Sequence, residues 1–322
     1  MTSTVYTIVI SGAGQLGSRY LQGLVKSRYV LQIYVQDVCD ESLVLAKRRW
    51  DEALGQESLH EVSFHTSFDT LPRQLDIAIV ATTADVRPQI VRKIAEHAAV
   101  RYWVLEKVLA QNEFGLDEIL LFAGKCDGAW VNTPRRMMPW HQQIKAQLGG
   151  ASPLVLEVSG GRWGLACNAI HFLDLLAWWT GETLQSIRTD GLGGNWQMSK
   201  RANYQEVLGV LEARFSGGSR AVLRDEESGA AISLSIYSGG NLLWQISESG
   251  GLASRADGLE LPGRMSYQSE MAGTLVDSIL EHGRCDLPTM TASIAMHRVF
   301  IREMQVHWVR AGNFGAICLP IT

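Results

Sequence analysis

Through the first 124 positions, apolar residues gather in short runs, and between the runs they recur at helical spacing. Residues 5–10 (VYTIVI) form a β-branched run ending in SGAG, after which Leu16, Tyr20, Leu21 and Leu24 share one helical face. The same alternation predicts strands at 30–35, 62–65, 76–80 and 103–105, and helices at 40–55, 88–97 and 112–123. Apolar strands alternating with amphipathic helices imply a parallel sheet covered on both faces.

From about residue 134 the rhythm changes. Segments 154–159, 206–215, 219–226 and 231–237 alternate apolar and polar positions, and the pairs Gly217-Gly218 and Gly239-Gly240 punctuate them. Such spacing predicts antiparallel hairpins. Helical periodicity returns at 168–180, 269–282 and 291–309. The second half therefore reads as α+β, a mostly antiparallel open sheet with helices on one face, and the chain divides into domains 1–125 and 126–322. The GLGGNW run at 191–196 leads from no strand into no helix and reads as a flexible loop. Asp76 reads as a turn residue, 282–285 as a loop, and Trp178 and Trp179 as core or subunit contacts.

Composition narrows the function classes. At 322 residues the chain is long enough for two domains, and 46% hydrophobic against 19% charged residues excludes disorder. A net charge of −4 without a basic block speaks against a nucleic-acid partner. The five cysteines form no CxxC pair, so neither a disulfide framework nor a metal site is expected. No apolar run reaches membrane-spanning length, and the opening MTSTVYTIVISGAG lacks a leader's basic start. A cytoplasmic protein without a membrane partner is the expectation.

Gly12, Gly14 and Gly17 form GxGxxG between a strand and a helix. The first allows a tight turn, the second lets a pyrophosphate approach the backbone, and the third lets helix and strand pack closely. The helix N-terminus, with Gln15 and Leu16, offers free N–H groups to phosphate. The next strand ends at Asp37, at the spacing of an acid that holds ribose hydroxyls and repels a 2′-phosphate. NAD(H) is thus favoured, with NADP(H) allowed. Lys47, Arg48 and Arg49 read as too far along the following helix to alter this. Thr82 and Thr83, at a strand's carboxyl end, are expected on the ribose or nicotinamide side.

The ordered segments GAGQLG, IVATTADVRPQIVRKIAEH, VLEKVLA and IHFLDLLAWW, with the tail CDLPTMTASIAMHRVF, resemble the glucose–fructose oxidoreductase / inositol dehydrogenase family over nearly the whole chain. The resemblance implies a Rossmann domain followed by a substrate domain, assembled as a homodimer or homotetramer. It implies hydride transfer between NAD(P) and a carbinol carbon of a sugar, sugar acid, polyol or nucleotide sugar. Lys107 takes the place of the family's proton-handling lysine, and Glu106 before it is grouped with the cofactor residues. Val108 stands where the family carries a proline, often cis, so an altered local backbone is expected. His171 and Asp174 match the family's H-x-x-D, making His171 the second proton-handling group. The acidic position four before it is Cys167, beside Asn168. Arg135 and Arg136 can grip a carboxylate or phosphate, and Trp140 and His141 are expected in the same cleft, with Asn168 and Asp174. Two other readings stay open: a non-catalytic dinucleotide-binding regulator of the same fold, and a reductase of imine or tetrapyrrole-type substrates.

Overall fold

The computed structural model describes residues 4–54, 59–315 and 317–322. The expected helix end at Gly55 lies outside them. Two compact units emerge, each assembled from separate stretches of chain.

The first comprises Met1–Ala110, Phe114–Asn132 and Ser266–Thr291. Its strands are β1 (Val5–Ser11), β2 (Val30–Gln36), β3 (Glu61–His65), β4 (Gln74–Val80), β5 (Ala99–Glu106) and β6 (Gly128–Asn132). Between them run α1 (Gln15–Leu24), α2 (Asp40–Ala53), α3 (Arg87–His97) and α4 (Glu113–Ala123). All strand pairs are parallel, in the order β3-β2-β1-β4-β5-β6. This is the doubly wound order, whose direction reverses between β1 and β4 and leaves a crevice at their carboxyl ends. Ile8, Val9, Ile10, Ile77, Ile79 and Val104 are fully buried, as strands covered on both faces require. Asp76 is not in a turn: it lies in β4 and accepts the Thr7 N–H at 2.8 Å, just before the β1–β4 ladder begins at Ile8.

The second unit comprises Gln111–Glu113, Thr133–Met265 and Ala292–Thr322. A 3-10 turn (Pro134–Met137) leads to α5 (Pro139–Leu148), β7 (Val155–Gly161), α6 (Leu165–Thr180) and β8 (Leu184–Met198). There follow β9 (Gln205–Phe215), β10 (Arg220–Glu226), β11 (Ser233–Ser238), β12 (Asn241–Ser247), β13 (Leu252–Arg255) and β14 (Glu260–Pro262). The eight strands order as β14-β13-β12-β11-β7-β10-β9-β8, antiparallel except for β7 with β10. Alternate residues of β10 are buried and exposed, and α6 packs on β9 and β10. The last two helices are α7 (Gln268–His282), which belongs to the first unit, and α8 (Met290–Arg310).

The GLGGNW segment is strand rather than loop, lying inside β8 and paired irregularly with β9. The glycines permit this: a Cβ at Gly209 would lie 2.5 Å from the Gly191 carbonyl, and one at Gly191 would lie 2.8 Å from that of Val210. Missing side chains let the two backbones close at a bulge, where sequence pattern alone reads a breaker.

Candidate functional site

In the first unit, the glycine turn is built from the ends of β1 and β2. The Gly12 N–H donates to the Gln36 carbonyl at 2.8 Å, and the Ala13 N–H to Asp37 Oδ2 at 2.6 Å. Gly12 has φ +92°, and a Cβ there would meet the Thr82 nitrogen at 2.8 Å. A Cβ on Gly17 would stand 1.7 Å from the Gly12 carbonyl oxygen. These two glycines are required by packing. Gly14 differs, because a Cβ there would meet nothing within 4 Å. It caps α1, whose first turn has neither a side-chain cap nor an acid, so N–H groups and positive dipole face open space.

Thr82 lines the same turn, and its buried Oγ1 has no hydrogen-bond partner among the described residues. An orphaned hydroxyl, a cradle free of side chains and an uncapped helix start fit a dinucleotide's ribose and pyrophosphate. Asp37 Oδ1 takes the Cys39 N–H at 2.9 Å, and both of its oxygens keep lone pairs for ribose hydroxyls. Arg49 of α2 braces the turn from outside. Its guanidinium reaches back to the Gln15 carbonyl at 3.0 Å, to Gln15 Oε1 at 2.6 Å and to Ser18, fixing the outer side of α1. Gln15 is thereby engaged by Arg49, while Leu16 is half-buried.

Lys107 follows β5, next to β4 in the sheet, and is half-buried. The expected altered backbone does not occur: the Lys107–Val108 peptide is cis. Arg87, a residue missed in the sequence, organises this edge. It is 1% exposed and donates to the Val108 and Leu109 carbonyls on one side and the Thr82 carbonyl on the other. Thr83 accepts the Arg87 N–H at 3.0 Å, closing the turn that starts α3. Glu106 is buried beneath, accepting from Tyr20 at 2.7 Å and Asn132 at 2.6 Å. Burial pushes its carboxyl up, opposed by those two donors. Glu106 therefore ties α1 and β6 to the end of β5 rather than offering its oxygens outward.

In the second unit the head of α6 carries the predicted Asn168 and His171. The helix has no acid in its own first turn. Two carboxylates from the sheet cap it. Asp225 accepts the Trp163, Gly164 and Leu165 N–H groups at 3.1, 2.9 and 3.1 Å. Glu206 Oε2 accepts the Ala166 N–H at 2.8 Å. Asn168 Nδ2 donates to the Trp163 carbonyl at 2.9 Å. His171 is half-buried one turn further on.

The residues expected to grip a substrate anion are turned inward. Arg135 donates through Nε and Nη2 to Glu248, both at 2.7 Å, with its guanidinium 4.4 Å from the Phe172 ring. Arg136 clamps Asp174 through Nε at 2.7 Å and Nη2 at 2.5 Å, and the Thr133 hydroxyl joins them at 2.7 Å. Trp140 is buried and donates to the Leu261 carbonyl at 3.1 Å. His141 is fully buried, its Nε2 3.1 Å from Glu248. Each side chain finds a protein partner brought from far along the chain, which sequence spacing cannot reveal. Burial would raise the Glu248 carboxyl, yet Arg135 and His141 hold it far below the ordinary carboxylate range. Burial lowers the His141 ring, against the pull of Glu248.

Among the described residues no cluster has metal-binding composition, and no helix is long and apolar enough to cross a membrane. No protein-family model matches the sequence, and no curated protein matches it. Solved structures do. A provisionally named NADPH-dependent oxidoreductase from Desulfitobacterium hafniense is similar at 10% identity and TM-score 0.72, over 96% of this chain and 97% of that one. UDP-N-acetylglucosamine 3-dehydrogenase from Acidithiobacillus ferrooxidans is similar at 15% identity and TM-score 0.70, over 96% and 99%. Scyllo-inositol dehydrogenase from Lactobacillus casei, with bound NAD(H) and scyllo-inositol, is similar at 13% identity and TM-score 0.65, over 95% and 98%. At such identities the likeness is one of fold, and along nearly its whole length the chain has the fold of the glucose–fructose oxidoreductase / inositol dehydrogenase family.

Proposed function

We propose that the protein is an NAD(H)-dependent oxidoreductase acting on a carbinol carbon of a sugar, sugar acid, polyol or nucleotide sugar. The observation that carries this is the cradle at Gly14, open, uncapped and bordered by the unpartnered Thr82 hydroxyl. Bound there, the dinucleotide supplies a hydride donor or acceptor, chemistry the polypeptide lacks. The glycine-turn N–H groups hold the pyrophosphate, and Asp37 accepts the ribose hydroxyls and disfavours a 2′-phosphate. Lys107 exchanges the proton of the substrate hydroxyl at its Nζ, and His171 acts as the second proton-handling group. Arg87 and Glu106 fix the backbone on either side of Lys107 without meeting substrate.

Titrating the protein with NADH and NADPH while following quenching of its ten tryptophans tests the reading. Tight NADH with weak NADPH binding supports it, preference for NADPH refutes the role of Asp37, and binding of neither refutes the whole. A homodimer or homotetramer is proposed to cover the open sheet, whose exposed positions include Glu157, Glu212, Arg220 and Arg224. Sedimentation as a monomer would refute that assembly. A cytoplasmic location is proposed alongside, tested by fractionation of the source cells.

A further inference from the structure

The head of α6 holds a charged group that the proposed chemistry leaves unused. Glu206 comes from the start of β9 and is bonded by the Ala166 N–H at 2.8 Å and by both the backbone and the thiol of Cys167. Space is kept for it: Gly164 has φ +81°, and a Cβ there would stand 2.8 Å from Glu206 Oε1. Cys167 and His171 are four residues apart on one helical face, with Cβ atoms about 5–6 Å apart. The carboxylate is thus bonded at Cys167, one helical turn before the residue that carries the imidazole.

We infer that Glu206 is a positioning residue for His171, a negative partner that acts through the head of α6 to favour the ring's protonated form. This rests on the proposed oxidoreductase reading only for the use made of His171.

The other charges around α6 do not replace it. The elements packed on this helix include β9, β10, the Pro134–Met137 turn and α5, whose Lys145 lies 4.3 Å from the Trp178 ring centroid and whose His141 ring meets Trp179, seven and eight residues beyond His171. From β10, Asp225 faces the helix with its oxygens taken by three N–H groups. From the turn, Arg136 neutralises Asp174, three residues after His171, and Arg135 is paired to Glu248. Glu212 and Arg214 of β9, and Arg220, Arg224 and Glu226 of β10, are exposed. Among the described residues no ion pair engages Glu206, so its charge acts on the helix dipole, the thiol and the neighbouring ring. Burial pushes its carboxyl up, against the Cys167 and Ala166 donors. It therefore changes charge closer to neutrality than an exposed glutamate does.

The test is an NMR titration of the His171 ring, assigned with His171→Gln, in the wild type, Glu206→Gln and Cys167→Asp/Glu206→Gln. Removing a negative neighbour disfavours the imidazolium, so the midpoint falls by about 0.5–1 unit in Glu206→Gln. Placing a carboxylate at position 167 restores it. A midpoint unchanged in folded Glu206→Gln overturns the proposal. If that variant does not fold, Glu206→Asp is read instead: retraction by one methylene lowers the midpoint by a smaller amount, and no shift overturns the inference. None of these readings needs turnover. A shifted midpoint in a protein that binds no dinucleotide would sink the oxidoreductase reading and leave the Glu206–His171 coupling standing.

Discussion

Gly14 and Gly17 lie three residues apart, and the structure assigns them opposite consequences on gaining a methyl group. At Gly17 the added Cβ stands 1.7 Å from the Gly12 carbonyl oxygen and 2.8 Å from its carbon, both backbone atoms that no rotamer can move. Restoring the ordinary 3.4 Å contact displaces α1 by about 1.7 Å from the turn. Overpacking of this kind costs about 1–3 kcal/mol, more than the roughly 1 kcal/mol that alanine returns in helix propensity. The same displacement pulls N–H groups from the pyrophosphate. Each charge-assisted hydrogen bond is worth about 1.5–3 kcal/mol, so affinity falls about 10- to 150-fold. At Gly14 φ is −61° and the added Cβ touches nothing, so Gly14→Ala leaves stability within about 0.5 kcal/mol. Its methyl occupies the approach of a phosphate oxygen, and NADH binding weakens about tenfold or more. Thermal melts and NADH quenching measure both quantities on each variant. Wild-type affinity in Gly14→Ala would remove the dinucleotide from this cradle, and an unshifted melt in Gly17→Ala would refute the packing calculation.

Asp37→Ala removes the ribose acceptor and the 2′-phosphate repulsion. NADH is expected to weaken by about tenfold and NADPH to gain relative to it, read by paired titrations; unchanged selectivity rejects the role. Lys107→Met is expected to lower turnover by about 10²–10⁴-fold with NADH affinity kept, and full turnover on a sugar panel would reject the assignment. Glu248→Gln leaves the buried Arg135 without its anion and is expected to cost about 3–5 kcal/mol at pH 7. Because the folded carboxyl titrates below its unfolded value, its stabilisation is complete above about pH 4.3 and fades as pH falls through the folded value. Urea midpoints should therefore decline below that pH in the wild type and stay flatter in Glu248→Gln; parallel curves would contradict the pairing.

What could be read from the sequence was local. The strand, glycine turn and helix at 5–24 occupy one contiguous stretch, and each glycine's role follows from its place in that turn. The parallel first half followed from apolar runs that need burial on both faces. Contacts made across long stretches of chain were not legible. Arg87 looked like any arginine opening a helix, yet its guanidinium joins the Thr82 turn to the backbone after Lys107. Glu206 opens a strand 39 residues beyond Cys167, and no spacing announces that it caps the same helix. Arg135 and Arg136 had the right chemistry for an anion, and found it in Glu248 and Asp174. The β8 glycines misled because pattern cannot separate a break in a strand from a bulge within one.

The return of α7 to the first unit constrains how the protein is made. Its Ala272 packs where Gly23 of α1 leaves no room for a side chain, and its Gln268 bonds Asn132 at 2.9 Å, which in turn holds Glu106. Ribosomes deliver this helix only after the whole eight-stranded sheet has been synthesised. The helix that follows the glycine turn thus waits with one flank bare through the synthesis of well over a hundred residues. A gene fragment stopping at Asn132 would encode every glycine of the cradle and still lack the helix that braces it.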